Sequence, residues 1–120
     1  MTSATHAHLL VEKTVDGITV ATFSDTELLD GTVISEVEED LWQLAYGLGA
    51  TSLLLNFATV RLMSSGMLGV LLLFSRRFRE IGGRLKLCCI APDLREVFRI
   101  ARYERLFEIS SEELHALEAF

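Results

Sequence analysis

The chain has 120 residues, half of them hydrophobic, with one proline, eight glycines and a net charge of −6. This length and composition suit one packed domain and are too short for two typical ones. The longest charge-free stretch, residues 41–60, is interrupted by polar and glycine residues, so we expect no membrane-spanning helix. The chain opens without the charged-then-apolar pattern of an export signal, and we therefore expect a cytoplasmic protein.

The charges are unevenly distributed along the chain. Residues 61–105 hold ten of the eleven basic residues and only four of the seventeen acidic ones. These basic residues are spread over several predicted elements and are not interleaved with aromatic residues, which argues against direct binding of nucleic acid. A solvated basic surface is the simplest interpretation, and an acidic protein partner is the alternative.

The first elements in chain order are a tail and a hairpin. Residues 1–7 are small and polar, which predicts a flexible tail ahead of a single domain over residues 8–120. The β-rich runs 8–14 and 18–23 flank Asp16-Gly17, a pair that supplies the positive φ angles of a tight turn. The domain is therefore predicted to open with an antiparallel hairpin.

An acidic helix and a buried strand are predicted next. After a linker at residues 24–31, apolar residues recur at helical spacing from Ile34 to Leu48 with acids between them, which predicts an amphipathic helix. Residues 51–57 contain the continuous apolar run Leu53-Leu54-Leu55, typical of a central strand covered on both faces. A six-residue linker separates this strand from a second helix.

The second half of the chain alternates helices and strands. The second helix begins at Ser64-Ser65-Gly66 and ends near Gly82-Gly83. A strand is predicted at residues 85–90, a helix opened by Pro92, and a strand at 106–109. Ser110 and Glu113 match a capping box for a last short helix. The order β-β-α-β-α-β-α-β-α predicts an α/β fold with a mixed, mainly parallel sheet of about five strands and four helices.

No pattern of catalytic or cofactor-binding residues is present in the sequence. The three histidines are not accompanied by a nucleophile at a suitable position, so we expect no enzyme activity. His6 and His8 are interpreted as part of a solvated tail, and we expect no metal site and no cofactor. The glycines match neither a phosphate-binding loop nor a dinucleotide fingerprint. Cys88 and Cys89, adjacent in a predicted strand, are expected to point to opposite faces as reduced thiols.

The start of the second helix is the candidate functional site. If Ser64 caps the helix, Ser65 is its first residue and projects outward beside unpaired N–H groups. Leu68 and Leu72 lie off the predicted core stripe, on the same side as Ser65 and Gly69. They are interpreted either as part of a partner surface or as contacts to a neighbouring helix. The predicted core stripe of this helix consists of Met67, Val70, Leu71, Phe74, Phe78 and Ile81.

Phosphorylation would change this helix start without unfolding it. A phosphate on Ser65 would add about two negative charges, which the positive end of a helix tolerates. A partner docked against Ser65 would meet new repulsion. Considered by chemistry alone, the serine pair is more simply interpreted as a helix cap followed by a small residue that allows close approach.

These residues together resemble a known family. The hairpin, the acidic helix, Leu53-Leu54-Leu55-Asn56-Phe57, the motif Ser64 to Leu71 and the Gly82-Gly83 strand start are similar to a STAS domain. This family contains anti-sigma factor antagonists and the tails of sulfate transporters. The resemblance covers nearly the whole chain from about residue 8, and its most specific part is Ser-Ser-Gly-x-x-Gly-Val-Leu after a strand.

The resemblance implies a protein that switches partners. In such antagonists the unmodified form binds an anti-sigma factor, often itself a serine kinase, and phosphorylation of the second serine blocks binding. By position Ser65 is the implied phosphoacceptor, with Ser64 as the alternative. The chain has Met63 where the family usually has Asp before the serine pair, and Asn56 where the preceding strand commonly ends in Asp. The implied partner surface consists of Met63, Ser64, Ser65, Gly66, Leu68, Gly69 and Leu72.

Three hypotheses follow from the sequence. The first is an anti-sigma factor antagonist that binds a kinase-like anti-sigma factor and is regulated by phosphorylation. The second is a constitutive STAS interaction module of a signalling assembly, in which Met63 reflects loss of the switch. The third is a small-ligand or nucleotide-binding STAS domain that uses the helix N-terminus as an anion site. The sequence predicts no particular oligomeric state.

Overall fold

A computed structural model of the chain describes residues 8–120. The predicted tail and His6 therefore lie outside the described residues. Within residues 8–120, no helix combines the length and apolar character needed to span a bilayer.

A five-stranded mixed sheet forms the centre of the domain. Its strands are β1 Leu9–Val15, β2 Ile18–Phe23, β4 Ser52–Asn56, β6 Arg84–Cys88 and β7 Glu108–Ser110. They lie in the spatial order β1-β2-β4-β6-β7, in which the β1–β2 pair is antiparallel and the other neighbours are parallel. The predicted hairpin is confirmed by the antiparallel pairing of β1 with β2. The central position of the Leu53–Leu55 run is also confirmed, because that run is fully buried and its strand pairs with a neighbour on each side.

Four α-helices cover the two faces of the sheet. The larger core includes residues from the first three helices, among them Leu41, Leu71 and Phe98. The smaller core, on the opposite face, includes Ala116 of the last helix. The α/β fold with four helices and a mixed five-stranded sheet is thus confirmed. The helices are α1 Gly31–Trp42, α2 Ser65–Glu80, α3 Pro92–Ile100 and α4 Glu113–Glu118.

Two short strands lie within segments that the sequence predicted as linkers. Strand β3, Glu27–Leu28, pairs in parallel with β5, Leu62–Met63, and forms a separate two-stranded sheet. Two residues are too few to give a periodic signal, and their pairing joins segments 35 positions apart. The sequence therefore contained no local indication of this small sheet.

Helix α1 begins earlier than predicted, and a π-helical turn carries it to the predicted end. It begins at Gly31, three residues before the first apolar position, because the Asp30 side chain accepts a hydrogen bond from the Val33 N–H at 2.9 Å. It continues into a π-helical turn over Gln43–Gly47. This turn extends the helix close to the predicted end.

The predicted cap of α4 is wrong. Glu112 occupies the cap position and makes no side-chain capping hydrogen bond, so Ser110 and Glu113 do not form a capping box. Strand β7 extends to Ser110, which is therefore part of the sheet. The side chain of Glu113 instead forms a hydrogen bond with Asn56 of β4 and an ion pair with Lys13 of β1.

The two cysteines also differ from the prediction. Strand β6 ends at Cys88, and Cys89 has a positive φ of 61°, which turns its side chain out of strand alternation. Both therefore contact the smaller core, instead of pointing to opposite faces. Both are free, and burial raises the pKa of the Cys88 thiol.

Candidate functional site

The start of α2 lies where the parallel strands have their carboxyl ends. Ser64 has an extended backbone, with φ −83° and ψ 164°, and its Oγ accepts the Met67 N–H at 3.2 Å. The predicted cap is therefore confirmed. Ser65 is the first helical residue and is exposed, so its hydroxyl is accessible to solvent while Ser64 satisfies the helix start.

Two glycines, Gly66 and Gly69, leave the helix surface beside Ser65 without side chains. A Cβ added at Gly69 would have no atom within 4 Å, although this glycine lies inside the helix. A Cβ at Gly66 would make ordinary contact, 3.6 Å from Ile34 Cδ1. Glycine inside a helix costs roughly 0.5–1 kcal/mol relative to alanine. Because packing within the domain does not require Gly69, its presence favours close approach by another molecule.

The small β3–β5 sheet holds the helix start in place. The Ser64 N–H donates to the Leu28 carbonyl at 3.1 Å, directly beyond the pairing of Leu28 with Met63. Met63 is 7% exposed and belongs to the larger core. The residue that precedes the serine pair is thus an apolar core residue in this chain, with little surface to offer a partner.

The interpretation of Leu68 as part of an exposed surface is wrong. Leu68 is only 2% exposed and packs in the larger core, while Leu72 is half-buried against the same core. The alternative, packing within the domain, is the one that the structure supports. Ile81, placed on the predicted core stripe, is exposed instead.

Other leucines are exposed around the helix start. Leu29 follows the Leu28 carbonyl that binds Ser64, Leu62 lies in β5, and Leu73 lies one turn beyond Gly69. Each is between 42% and 51% exposed. The sequence analysis missed these three residues, because two lie in segments predicted as linkers and Leu73 was not assigned to either face.

Asn56 connects the end of β4 to other parts of the domain. Its Oδ1 accepts the Ala58 N–H at 2.8 Å, and its Nδ2 donates to Glu113 Oε1 at 2.9 Å. Lys13 Nζ lies 2.8 Å from the other Glu113 oxygen, and the hydrogen bonds from Lys13 and Asn56 hold the pKa of Glu113 below its usual range. An aspartate at this position would face the Glu113 carboxylate without a proton to donate. The amide of Asn56 therefore suits this contact.

The electrostatics of the helix start allow an added negative charge. Helix α2 has no acidic residue in its first turn, and its N-terminal N–H groups carry partial positive charge. Its basic residues Arg77 and Arg79 lie in the last turn, far along the axis from Ser65. A charge placed on Ser65 would therefore be stabilised by the helix itself.

One cluster near this edge was not found from the sequence. His8 was interpreted with His6 as part of a solvated tail, yet it is 9% exposed and contacts carboxylates on two other elements. Nothing local signals these contacts, since the carboxylates lie 17 and 28 residues away in sequence. Among residues 8–120, no group of three or more His, Cys, Asp or Glu side chains is placed to hold a metal ion.

Comparison with known proteins identifies relatives of the whole domain. The candidate anti-sigma factor antagonist BtrV of Bordetella bronchiseptica is 26% identical over 112 residues, which cover 88% of this chain and 89% of that protein. An anti-sigma factor antagonist from Mycobacterium paratuberculosis has the same fold, with a TM-score of 0.78 at 20% identity, covering 92% of this chain and 91% of that one.

The Bacillus cell fate determinant SpoIIAA, solved in its phosphorylated form, also has this fold. Its TM-score is 0.65 at 22% identity, covering 93% of this chain and 99% of that one. Residues 11–116 match the STAS domain family. Because this match spans most of the chain and the fold agrees with it, the chain belongs to the STAS domain family.

Proposed function

We propose that this chain is an anti-sigma factor antagonist that binds a kinase-like anti-sigma factor through the start of α2 and the segment before it. The observation that carries the proposal is the exposed, unobstructed surface formed by Ser65, Gly66 and Gly69. The relatives named anti-sigma factor antagonists support it, because they align over nearly the full length of the chain.

The proposed contact surface differs from the one expected from the sequence alone. Ser65 and the two glycines remain at its centre. The exposed leucines Leu29 and Leu62 replace the buried Leu68 as apolar contacts. Leu73 extends the surface along the helix. We call this proposed contact area the docking surface; it consists of Leu29, Leu62, Ser65, Gly66, Gly69 and Leu73.

Ser65 is the proposed phosphoacceptor, and Ser64 is not. The Ser64 hydroxyl is committed to the Met67 N–H, and modifying it would disturb the helix cap. A phosphate on Ser65 would be favoured by the helix N-terminus and would repel a partner that fits the unmodified surface. The switch would therefore act on binding and leave the fold intact.

A binding measurement with charge variants tests this proposal. We expect the wild type and Ser65→Ala to bind a co-encoded kinase-like anti-sigma factor in calorimetry, and Ser65→Asp to lose at least tenfold in affinity. Ser111→Asp is the matched control, because Ser111 is also exposed at this edge of the sheet, before α4. Equal binding by Ser65→Asp and wild type would disprove the switch.

The buried Met63 supports a second candidate function, a constitutive interaction module. Phosphorylation sites in this family usually include the carboxylate that Met63 replaces, and here that position is part of the core. This candidate predicts binding to the partner without modification. Incubation with the co-encoded kinase and ATP, followed by mass spectrometry, separates the two: phosphate on Ser65 supports the switch, and its absence supports the constitutive module.

A further inference from the structure

The His8 ring lies between two carboxylates. Its Nδ1 is 2.9 Å from Asp25 Oδ1, and its Nε2 is 2.8 Å from Glu36 Oε1. A neutral imidazole carries one N–H, so its other nitrogen would turn a lone pair toward a carboxylate. Only the doubly protonated ring donates to both. The geometry therefore calls for a charged His8.

The carboxylates around His8 come from one loop and one helix. Asp25 lies between β2 and β3, while Glu36 and Asp40 lie on α1; the buried Asp40 accepts the His8 backbone N–H at 2.8 Å. Burial alone would lower the pKa of His8, but the hydrogen bonds to Glu36 and Asp25 outweigh it and raise the pKa above 6.5. The ring thus faces two carboxylates, and a third accepts the backbone N–H of the same residue.

The segment held by His8 also holds the start of α2. The Asp25 carbonyl accepts the Thr59 hydroxyl at 3.2 Å, and the Thr26 carbonyl accepts the Arg61 N–H at 2.7 Å. The Leu28 carbonyl accepts the Ser64 N–H at 3.1 Å. The His8 ring is therefore connected to the helix cap through the backbone of residues 25–28, which makes a separate hydrogen bond to each of Thr59, Arg61 and Ser64.

We propose that protonated His8 is a latch that holds residues 24–28 against α1, and that its deprotonation as pH rises releases this segment and loosens the start of α2. Because residues 24–28 precede Leu29 and bind Ser64, the latch controls the order of the docking surface. The consequence for partner binding rests on the proposed function, whereas the latch itself does not.

The sign of the pH dependence follows from the direction of the pKa shift. A group whose pKa is higher in the folded state contributes its full stabilisation below the unfolded value, here 6.5. That contribution is lost as pH rises through the folded value. The latch is therefore closed in mildly acidic solution and opens toward alkaline pH.

Nuclear magnetic resonance of the ring and backbone tests the latch. We expect the ¹⁵N shifts of His8 to report two protonated nitrogens at pH 6 and a deprotonation midpoint above 6.5. The amide signals of Asp25 to Leu28 and of Ser64 should follow the same midpoint. A His8 midpoint at or below 6.5, or amides that do not follow it, would overturn the proposal.

Variants keep the test specific. Glu36→Gln should lower the His8 midpoint, whereas Glu39→Gln, the same charge change at an exposed position of α1, should leave it in place. The exposed His115 of α4 is the internal reference. In His8→Gln the pH response of the segment should disappear; should this variant fail to fold, an unchanged midpoint in Glu36→Gln would still contradict the latch.

Binding across pH connects the latch to the proposed function. Affinity for the kinase-like anti-sigma factor should fall between pH 6 and pH 8.5 in the wild type, and should change less in His8→Gln. Absence of binding at every pH would contradict the proposed function and leave the ring titration standing. Binding that is equally pH-dependent in both proteins would instead remove the latch as its cause.

Discussion

The two ends of α2 use the same residue types for different purposes. At the start, Ser65 is exposed, a Cβ on Gly69 would meet no atom within 4 Å, and a Cβ on Gly66 would make only ordinary contact, so packing inside the domain does not require either glycine. At the end, a Cβ on Gly83 would lie 2.5 Å from the Phe78 ring, and Gly82 has a φ of 88°. Glycine at the end of α2 is thus a requirement of the fold.

This difference is consistent with the proposed docking surface at the start of α2. Residues 82–83 bring the chain back into β6, and the Gly83 N–H donates to the Phe78 carbonyl at 2.7 Å. The glycines at the start cost helix stability without a compensating internal contact. Under the proposed function, the start of α2 serves binding and its end serves folding. The following predictions test this division, beginning with the largest expected effect.

Replacing a buried and an exposed leucine of α2 should distinguish the side of the helix that packs in the core from the side proposed to bind a partner. Leu68→Ala should cost about 2–5 kcal/mol of unfolding free energy, because it leaves a cavity in the core. Leu73→Ala, at 42% exposure, should cost much less and should weaken partner binding. Urea denaturation measures the unfolding free energy of both variants. A small loss for Leu68→Ala would mean that this end of the helix is loosely packed.

Gly83→Ala tests the requirement at the helix end. The added methyl would have to displace the Phe78 ring, and we expect a loss of about 1–3 kcal/mol in unfolding free energy. Gly47→Ala is a control, because a Cβ there meets no atom within 4 Å. Thermal and urea unfolding compare the two variants. Equal stability of Gly83→Ala and wild type would contradict the steric requirement.

Alanine substitutions of Ser64 and Ser65 should show which of the two serines stabilises the helix as its cap. Ser64→Ala removes the acceptor of the Met67 N–H and should cost about 1 kcal/mol. Ser65→Ala should leave the unfolding free energy nearly unchanged, because Ser65 is exposed and is not the cap. Denaturation curves of both variants decide this. A larger loss for Ser65→Ala would mean that the two serines have exchanged roles.

Gly69→Ala should raise stability slightly while it weakens binding, so it should distinguish most clearly between the two properties. Alanine in the helix interior should stabilise the domain by about 0.5–1 kcal/mol, since space is available for the methyl group. The same methyl should hinder close approach and weaken binding to the anti-sigma factor. A variant that is more stable and binds as well as the wild type would remove the argument from Gly69.

The order of the main elements was predictable because it depends on local patterns. Apolar periodicity, the Asp16-Gly17 turn and the Gly82-Gly83 stop each act within a few residues, and all are confirmed. The Ser64 cap was predictable for the same reason. The side of α2 that faces the core was predicted less well. Leu68 lies off the predicted stripe and is nevertheless buried, and Ile81 is exposed because it is the C-cap, beyond the last helical residue.

The candidate site was predictable only at its centre. Ser65 and Gly69 belong to a recognisable motif, whereas Leu29 and Leu62 surround them only because β3 and β5 pair across 35 residues. The roles of Asn56 and Glu113 were hidden in the same way. Their hydrogen bond joins residues 57 positions apart, and the local Ser110–Glu113 pattern suggested a different partner.

The sequence by itself determined the alternation of strands and helices, the buried central strand and the serine that caps the start of α2. These features follow from hydrophobic spacing and backbone preferences that act over one or two turns of chain. Only the tertiary structure decided that Leu68 is buried, that Met63 is a core residue, and that His8 lies between Asp25 and Glu36. Such contacts depend on which distant segments the parallel crossovers bring to one edge of the sheet, and local spacing does not encode that.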